Sequence, residues 1–557
     1  MRSIPLNLIL PRWTKRVVTE GGRDPLGLSR VAFMITDYLL PGIVTTTDRA
    51  RYYSFYIWVL WHIAKEEQPT KIQDFVDAFR RREAAMALAT LAADNSASPV
   101  GVDATRKYFA TGIDAGLFDC DFQVLPSNRL GGYGQYYAGS LYKLGLLEGT
   151  EEGISRAAPG IATELAESFQ SSIEKTPFVA RRLFLQTEIS KSDLMKSSQV
   201  LTLNALNESF TSNERGRLIK IFFGQNEEDN GKNNPRAQTL TLLLHVISEF
   251  ENAGHKVIAE RGDHGSRLDE YLLYPLYYRR LWLTDNKVCL YRPPEPLQLC
   301  SNLWRQVCLH EFFCQALEDL LCAVLEVAAI NVDGVRVGHI AEELTQEDFF
   351  TFLTTATGSR IDSPYALFTS LGIVTLPDER FSQNYQERVS PKDKLSEAQI
   401  VSLRKNSASE QLARGVLMLV VLYGKWRGIR KDGAFEYVAL KANAELWVGQ
   451  ILEPLDNWLD PEATWMDVLE PFIEQFVLAQ HERIFYQKGN LRSQWLKRVD
   501  RRIFKEQDYQ PVWRNSRIFN CVRIMADLKL LSIDTERQVS ITSAGARLMK
   551  KMLRDEV

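Results

Sequence analysis

Residues 514–546 read RNSRIFNCVRIMADLKLLSIDTERQVSITSAGA. Arg514–Leu528 has the pattern of a helix, and it leads into Lys529-Leu530-Leu531-Ser532-Ile533. Asp534–Gln538 is a polar turn between two short strands, the second being Val539–Thr542. Thr542 or Ser543 is a good N-cap for a last helix that runs through Leu553. The expected order is helix, strand, turn, strand, helix.

Residues 131–170 follow the same order. Gly131-Gly132-Tyr133-Gly134 makes a turn, and Gln135–Leu147 (QYYAGSLYKLGLL) is helical. Glu148–Gly153 is polar, Ile154-Ser155 is a short strand, and Pro159–Phe169 is a helix with proline near its start. Both stretches resemble the last half of a winged-helix domain. The carboxyl-terminal one is the better match. No internal repeat of fixed period is present.

The rest of the chain sets the class. It has 557 residues, enough for about three or four domains. It is 45% apolar and 25% charged, which excludes disordered, collagenous and disulfide-scaffold chains. The formal charge is −3, so the chain is not a wholly basic nucleic-acid coat, though a local basic patch is allowed. The longest apolar run, Val416–Tyr423, is too short for a bilayer and reads as a buried helix. Seven cysteines without a signal peptide point to free thiols in a cytoplasmic protein. The fold class expected is mainly α with small β elements (α+β) and several domains. These are 1–125, helical; 126–224, winged-helix-like with a helical extension; 237–376, mixed; 377–399, a linker; 400–480, helical; and 481–557, a basic helix with the terminal winged-helix-like module.

Residues 481–506, HERIFYQKGNLRSQWLKRVDRRIFKE, are the strongest local signal. Arg483, Lys488, Arg492, Lys497, Arg498, Arg501, Arg502 and Lys505 outnumber Glu482, Asp500 and Glu506 on a chain that is net negative. On a helix, Lys497, Arg501 and Lys505 stack in one row with Arg498 and Arg502 beside them. Trp495, Val499, Ile503 and Phe504 supply the apolar face. An amphipathic helix with a cationic stripe is what phosphate neutralisation needs. In the terminal module, Arg514, Arg517 and Arg523 are expected on a recognition helix, and Arg537 at the tip of a wing.

Other chemistry is poorly supported. No Walker loop, dinucleotide fingerprint, zinc-protease pair or nucleophile elbow is present. His310 and Cys314 share a helix face, but the surrounding cysteines sit among core residues, so no metal or cofactor is expected. Glu188 and Glu436 are the only acids near a nuclease-like spacing, and both read better as polar strand residues. In Asp48–Tyr56 the aromatic stripe reads as core, and Arg49 and Arg51 need acidic partners, since cations are unfavourable near a helix start.

The run LLPGIVTTTDRARYYSFYIWVLWHI is similar to a segment of uncharacterised prokaryotic proteins, some encoded near anti-phage defence genes. The likeness covers residues 26–66. It implies a subunit of a multi-gene defence system and assigns no chemistry. Together these features describe a non-enzymatic subunit that binds duplex DNA and other subunits and no membrane. The alternatives are a kleisin-like scaffold for an ATPase partner, and a metal-dependent nuclease whose site is dispersed.

Overall fold

The structure, a computed structural model, describes residues 24–149, 155–225, 231, 233–262, 265–283, 287–374, 395–427, 448–489 and 491–554. It is mainly helical, with small antiparallel sheets. The chain forms two compact units, Met1–Ile35 with Arg305–Arg514, and Thr36–Trp304 with Asn515–Val557. The division cuts across the sequential segments: 1–125, 237–376 and 481–557 each contribute to both units. Among the described residues no helix is long and apolar enough to cross a membrane.

The second unit is organised around helix Arg51–Glu66, buried at every position from Arg51 to Leu60. Such a helix has no solvent face and must be covered on all sides. Tyr52 and Tyr56 stack at 5.3 Å, and Trp58 packs on Phe169 of helix Ile161–Ile173 at 5.2 Å. The two arginines before and at its start do have acidic partners. Arg49 meets Asp527 at 3.0 Å, and fully buried Arg51 meets Glu214 at 3.3 Å. Arg51 also donates to the carbonyls of Val200 and Thr202.

The cap of this helix is not local. The Thr45–Asp48 cluster supplies no side-chain cap; instead the Asp527 carboxylate accepts from the backbone N–H of Ala50 at 3.0 Å. A carboxylate from far along the sequence thus satisfies an amide that the helix cannot.

The helices and strand pairs of both stretches form, with two corrections to the first. Gly131-Gly132, expected as a turn, are helical, and the second strand is Arg156–Ala157 rather than Ile154-Ser155, residues 150–154 lying outside the described residues. The two stretches share a backbone device. Gly145 (φ 68°) and Lys529 (φ 57°) each end a helix in the left-handed region. The Leu146 N–H donates to Leu141 O at 3.0 Å, and the Leu530 N–H to Met525 O at 2.9 Å, the closing bond of a Schellman turn. Leu146 O then accepts from Ala158, and Leu530 O from Thr542, at 3.0 and 3.1 Å. The strands are Leu147–Glu148 with Arg156–Ala157, and Leu531–Ile533 with Gln538–Ile541. As expected, Thr542 caps the last helix, Ser543–Leu553, accepting from Gly545 at 3.1 Å.

The terminal pair of strands gains a third, Val257–Ile258, which follows helix Pro235–Asn252 and pairs with Gln538–Ile541. This pairing across the chain explains why the second unit takes residues from both sides of 305–514.

The first unit is built on helix Ala408–Trp426, buried at Ser409 and at every position from Gln411 to Trp426, as the run Val416–Tyr423 requires. Its polar groups are paired: Arg414 binds buried Asp319 through two bonds of 2.7 and 2.6 Å, and Lys425 binds Glu397 at 2.5 Å. Glu397 belongs to the short helix Glu397–Ser402, capped by Ser396. The end of the expected 377–399 linker is therefore folded; residues 377–394 lie outside the described residues.

Candidate nucleic-acid interface

The basic segment is not one long helix. Helix Ala479–Lys488 ends at Gly489, and the cations beyond it lie on a β-hairpin, Leu496–Val499 paired with Arg502–Lys505. The turn residues Asp500 and Arg501 both have positive φ, 49° and 62°, as a two-residue type I′ turn demands. Lys497, Val499, Arg502 and Phe504 share one face; Leu496, Arg498, Ile503 and Lys505 share the other. The helical row Lys497–Arg501–Lys505 does not exist.

The hairpin is anchored through the Arg502–Lys505 strand. Ile503 exchanges both backbone bonds with Val335, at 3.1 and 2.8 Å. Phe504 lies over Gly334, where a Cβ would fall 2.5 Å from the ring. Gly334 also has φ 76°, so this turn has two reasons to hold glycine.

Several predicted contact residues are already engaged. Arg498 is held between Glu474 and Glu482, at 2.7 and 3.0 Å. Lys505 pairs with Asp508. Arg483 donates to Gln480 at 3.1 Å, and Lys488 donates to Asp24 O at 2.7 Å, with burial lowering the Lys488 pKa.

The terminal module corrects the recognition-helix reading most sharply. Its helix runs Ile518–Asp527, not from Arg514, because Arg517 sits at φ 67°. Arg514 belongs to the first unit, where it meets buried Glu318 at 2.6 Å, Glu311 at 3.5 Å and Ser29 Oγ at 2.9 Å. Burial holds Glu311 up at about 7 despite that guanidinium. Arg517 is buried against Asp37 at 2.6 Å and Ile43 O at 3.1 Å. Asn520 donates to Val44 O at 2.6 Å, and Arg523 pairs with Asp48. The segment 37–50 therefore covers the polar side of this helix, and the base-reading face is spent on the chain itself.

What remains exposed is smaller. Lys497 and Arg501 project from the hairpin with no acidic partner among the described residues, and Arg492 is exposed on the turn before it. Arg502 is exposed and, among the described residues, bonds the neutral carbonyls of Asp333 and Gly334, at 3.0 and 3.1 Å, and no acid. Arg537 is exposed at its turn, but Asp534 and Glu536 outnumber it there.

The sequence reading missed Arg336. It is exposed and lines, with Arg502, His339 and Val332, a cleft of about 610 Å³ beside the hairpin. Long-range contacts bring residues 330–336 to this place, the Val335–Ile503 bridge and the bonds from Arg502 to the Asp333 and Gly334 carbonyls, and no local pattern signals them.

Among the described residues the other candidate chemistries are not brought together. His310 Nε2 bonds Leu28 O at 2.5 Å, and Cys314 Sγ lies 3.9 Å from the same oxygen. Among the described residues no group of histidine, cysteine and acidic side chains is placed to hold a metal. Glu188 is exposed on strand Glu188–Ser190, and Glu436 lies outside the described residues.

No family model, curated protein or solved structure matches this chain.

Proposed function

We propose that the chain is a non-catalytic subunit that holds duplex DNA by its phosphates, through the 496–505 hairpin and the adjoining 330–336 turn. One observation carries the reading. Lys497, Arg501, Arg502 and Arg336 are exposed, lie on the hairpin or on the turn bridged to it, and make no ion pair among the described residues, where they outnumber the neighbouring acids Asp333 and Asp500. Phosphate contacts of this kind supply affinity without sequence readout, and salt weakens them. The defence-system context rests on the likeness of residues 26–66 alone.

The second unit is read as carrying a split winged-helix-like module. Helix Pro235–Asn252, strand Val257–Ile258 and helix Arg267–Tyr278 precede residues 305–514; helix Ile518–Asp527 and the strand pair follow. The helix that would read DNA is packed on residues 37–50, so this module acts as a structural core and the DNA contact is assigned to the hairpin.

Charge reversal tests it. Lys497→Glu, Arg501→Glu and Arg502→Glu together should abolish duplex DNA retention in a gel shift at moderate salt while the circular dichroism spectrum is unchanged. Unchanged retention removes the hairpin from the interface. Co-purification with an ATPase and no DNA retention by the wild type favours the scaffold alternative.

A further inference from the structure

Strand Val288–Leu290 pairs with Arg280–Trp282 in a sheet that has two strands among the described residues. All three of its residues are exposed, Val288 by 38% and Leu290 by 49%. The flanking bonds, Leu283 N–H to Lys287 O at 2.9 Å and Tyr291 N–H to Arg279 O at 2.8 Å, fix the pairing phase. Residues 287, 289 and 291 turn their backbone groups inward to the partner strand. Val288 and Leu290 turn theirs outward. Those outward groups meet no strand among the described residues. The 496–505 hairpin is different, because Val335 covers the Ile503 edge and His481 Nε2 accepts from Leu496 at 3.2 Å on the opposite edge. A short apolar strand with an open edge is a template for another strand.

We infer that this edge pairs with the same edge of a second copy of the chain, antiparallel about Cys289. The register follows from the phase. Val288 of one copy faces Leu290 of the other, and each outward N–H then meets an outward C=O. Apolar side chains meet apolar ones, while Lys287 falls opposite Tyr291 and meets no like charge. Cys289 faces its own mate at a non-hydrogen-bonded position, where Cα atoms approach to about 4.5 Å, within disulfide reach. Cys289 is exposed and every other cysteine is buried, so cross-linking has one address.

The test uses the full chain at tens of micromolar, by light scattering after size exclusion and by mild oxidation. Diamide, which takes up the two thiol hydrogens, should give a covalent dimer with the wild type and none with Cys289→Ser. Leu290→Pro removes an outward N–H that the existing sheet does not use, so the fold should survive and the dimer should be lost. A wild-type monomer that does not cross-link overturns the inference, as does a dimer that Leu290→Pro leaves intact; the edge would then await a strand from another protein.

Discussion

Single side chains in this molecule reach across long sequence separations. Asp527 accepts from Ala50 N and Arg49 Nε, both at 3.0 Å, while Arg523, on the same helix, pairs with Asp48. The neighbours 48 and 49 thus meet 523 and 527 with charges reciprocated. Asp527→Ala uncaps a buried helix and removes the carboxylate bound to Arg49, which keeps only its neutral partners Leu203 O and Asn204 Oδ1 among the described residues, and should cost about 2–4 kcal/mol in urea unfolding. A loss below about 0.5 kcal/mol contradicts this role. Glu83 is a second case. Burial pushes its carboxyl up to about 7, against bonds from Tyr56 Oη at 2.7 Å and Gly132 N at 2.8 Å. The folded state therefore holds this proton better than the unfolded chain does. Its contribution is full below about 4.5, where both states are protonated, and is lost as pH rises through about 7. Glu83→Gln keeps the oxygen that Tyr56 uses and should remove that part of the decline in stability between these values. A variant with the wild-type pH profile contradicts the assignment.

Elements were legible where local chemistry is decisive. The order of helices and strands in the two stretches could be read, though not the place of the second strand in the first, because Gly145, Pro159 and Thr542 are residues that end or begin helices. The 496–505 hairpin could not. Its cations recur at helical spacing, and its turn is Asp-Arg where a type I′ turn usually shows Asn-Gly. Nor could the caging of Arg514, Arg517 and Arg523 be read, since their partners lie hundreds of residues away in sequence. The turn yields a prediction of its own. Arg501 pays for its left-handed backbone, φ 62°, so Arg501→Gly should keep or raise stability by up to about 1 kcal/mol while weakening DNA retention. Equal retention by Arg501→Gly and wild type, at matched salt, would take this side chain out of the interface.

At the scale of the whole molecule, residues 305–514 stand in sequence between the two parts of the second unit. That unit needs its last segment: Gln538–Ile541 pairs Val257–Ile258, and Asp527 caps helix Arg51–Glu66. Ending the chain at residue 514 should leave the second unit poorly packed, read as loss of its cooperative thermal transition; a retained transition at the wild-type temperature contradicts the topology. The claim about function is most directly tested by fluorescence anisotropy of a labelled duplex titrated with the full chain across salt. Contacts from Lys497, Arg501, Arg502 and Arg336 predict a log–log slope near −3 to −4, falling by about one for each of these cations removed. No binding at low salt, or a slope that Lys497→Ala and Arg501→Ala leave unchanged, would contradict the account.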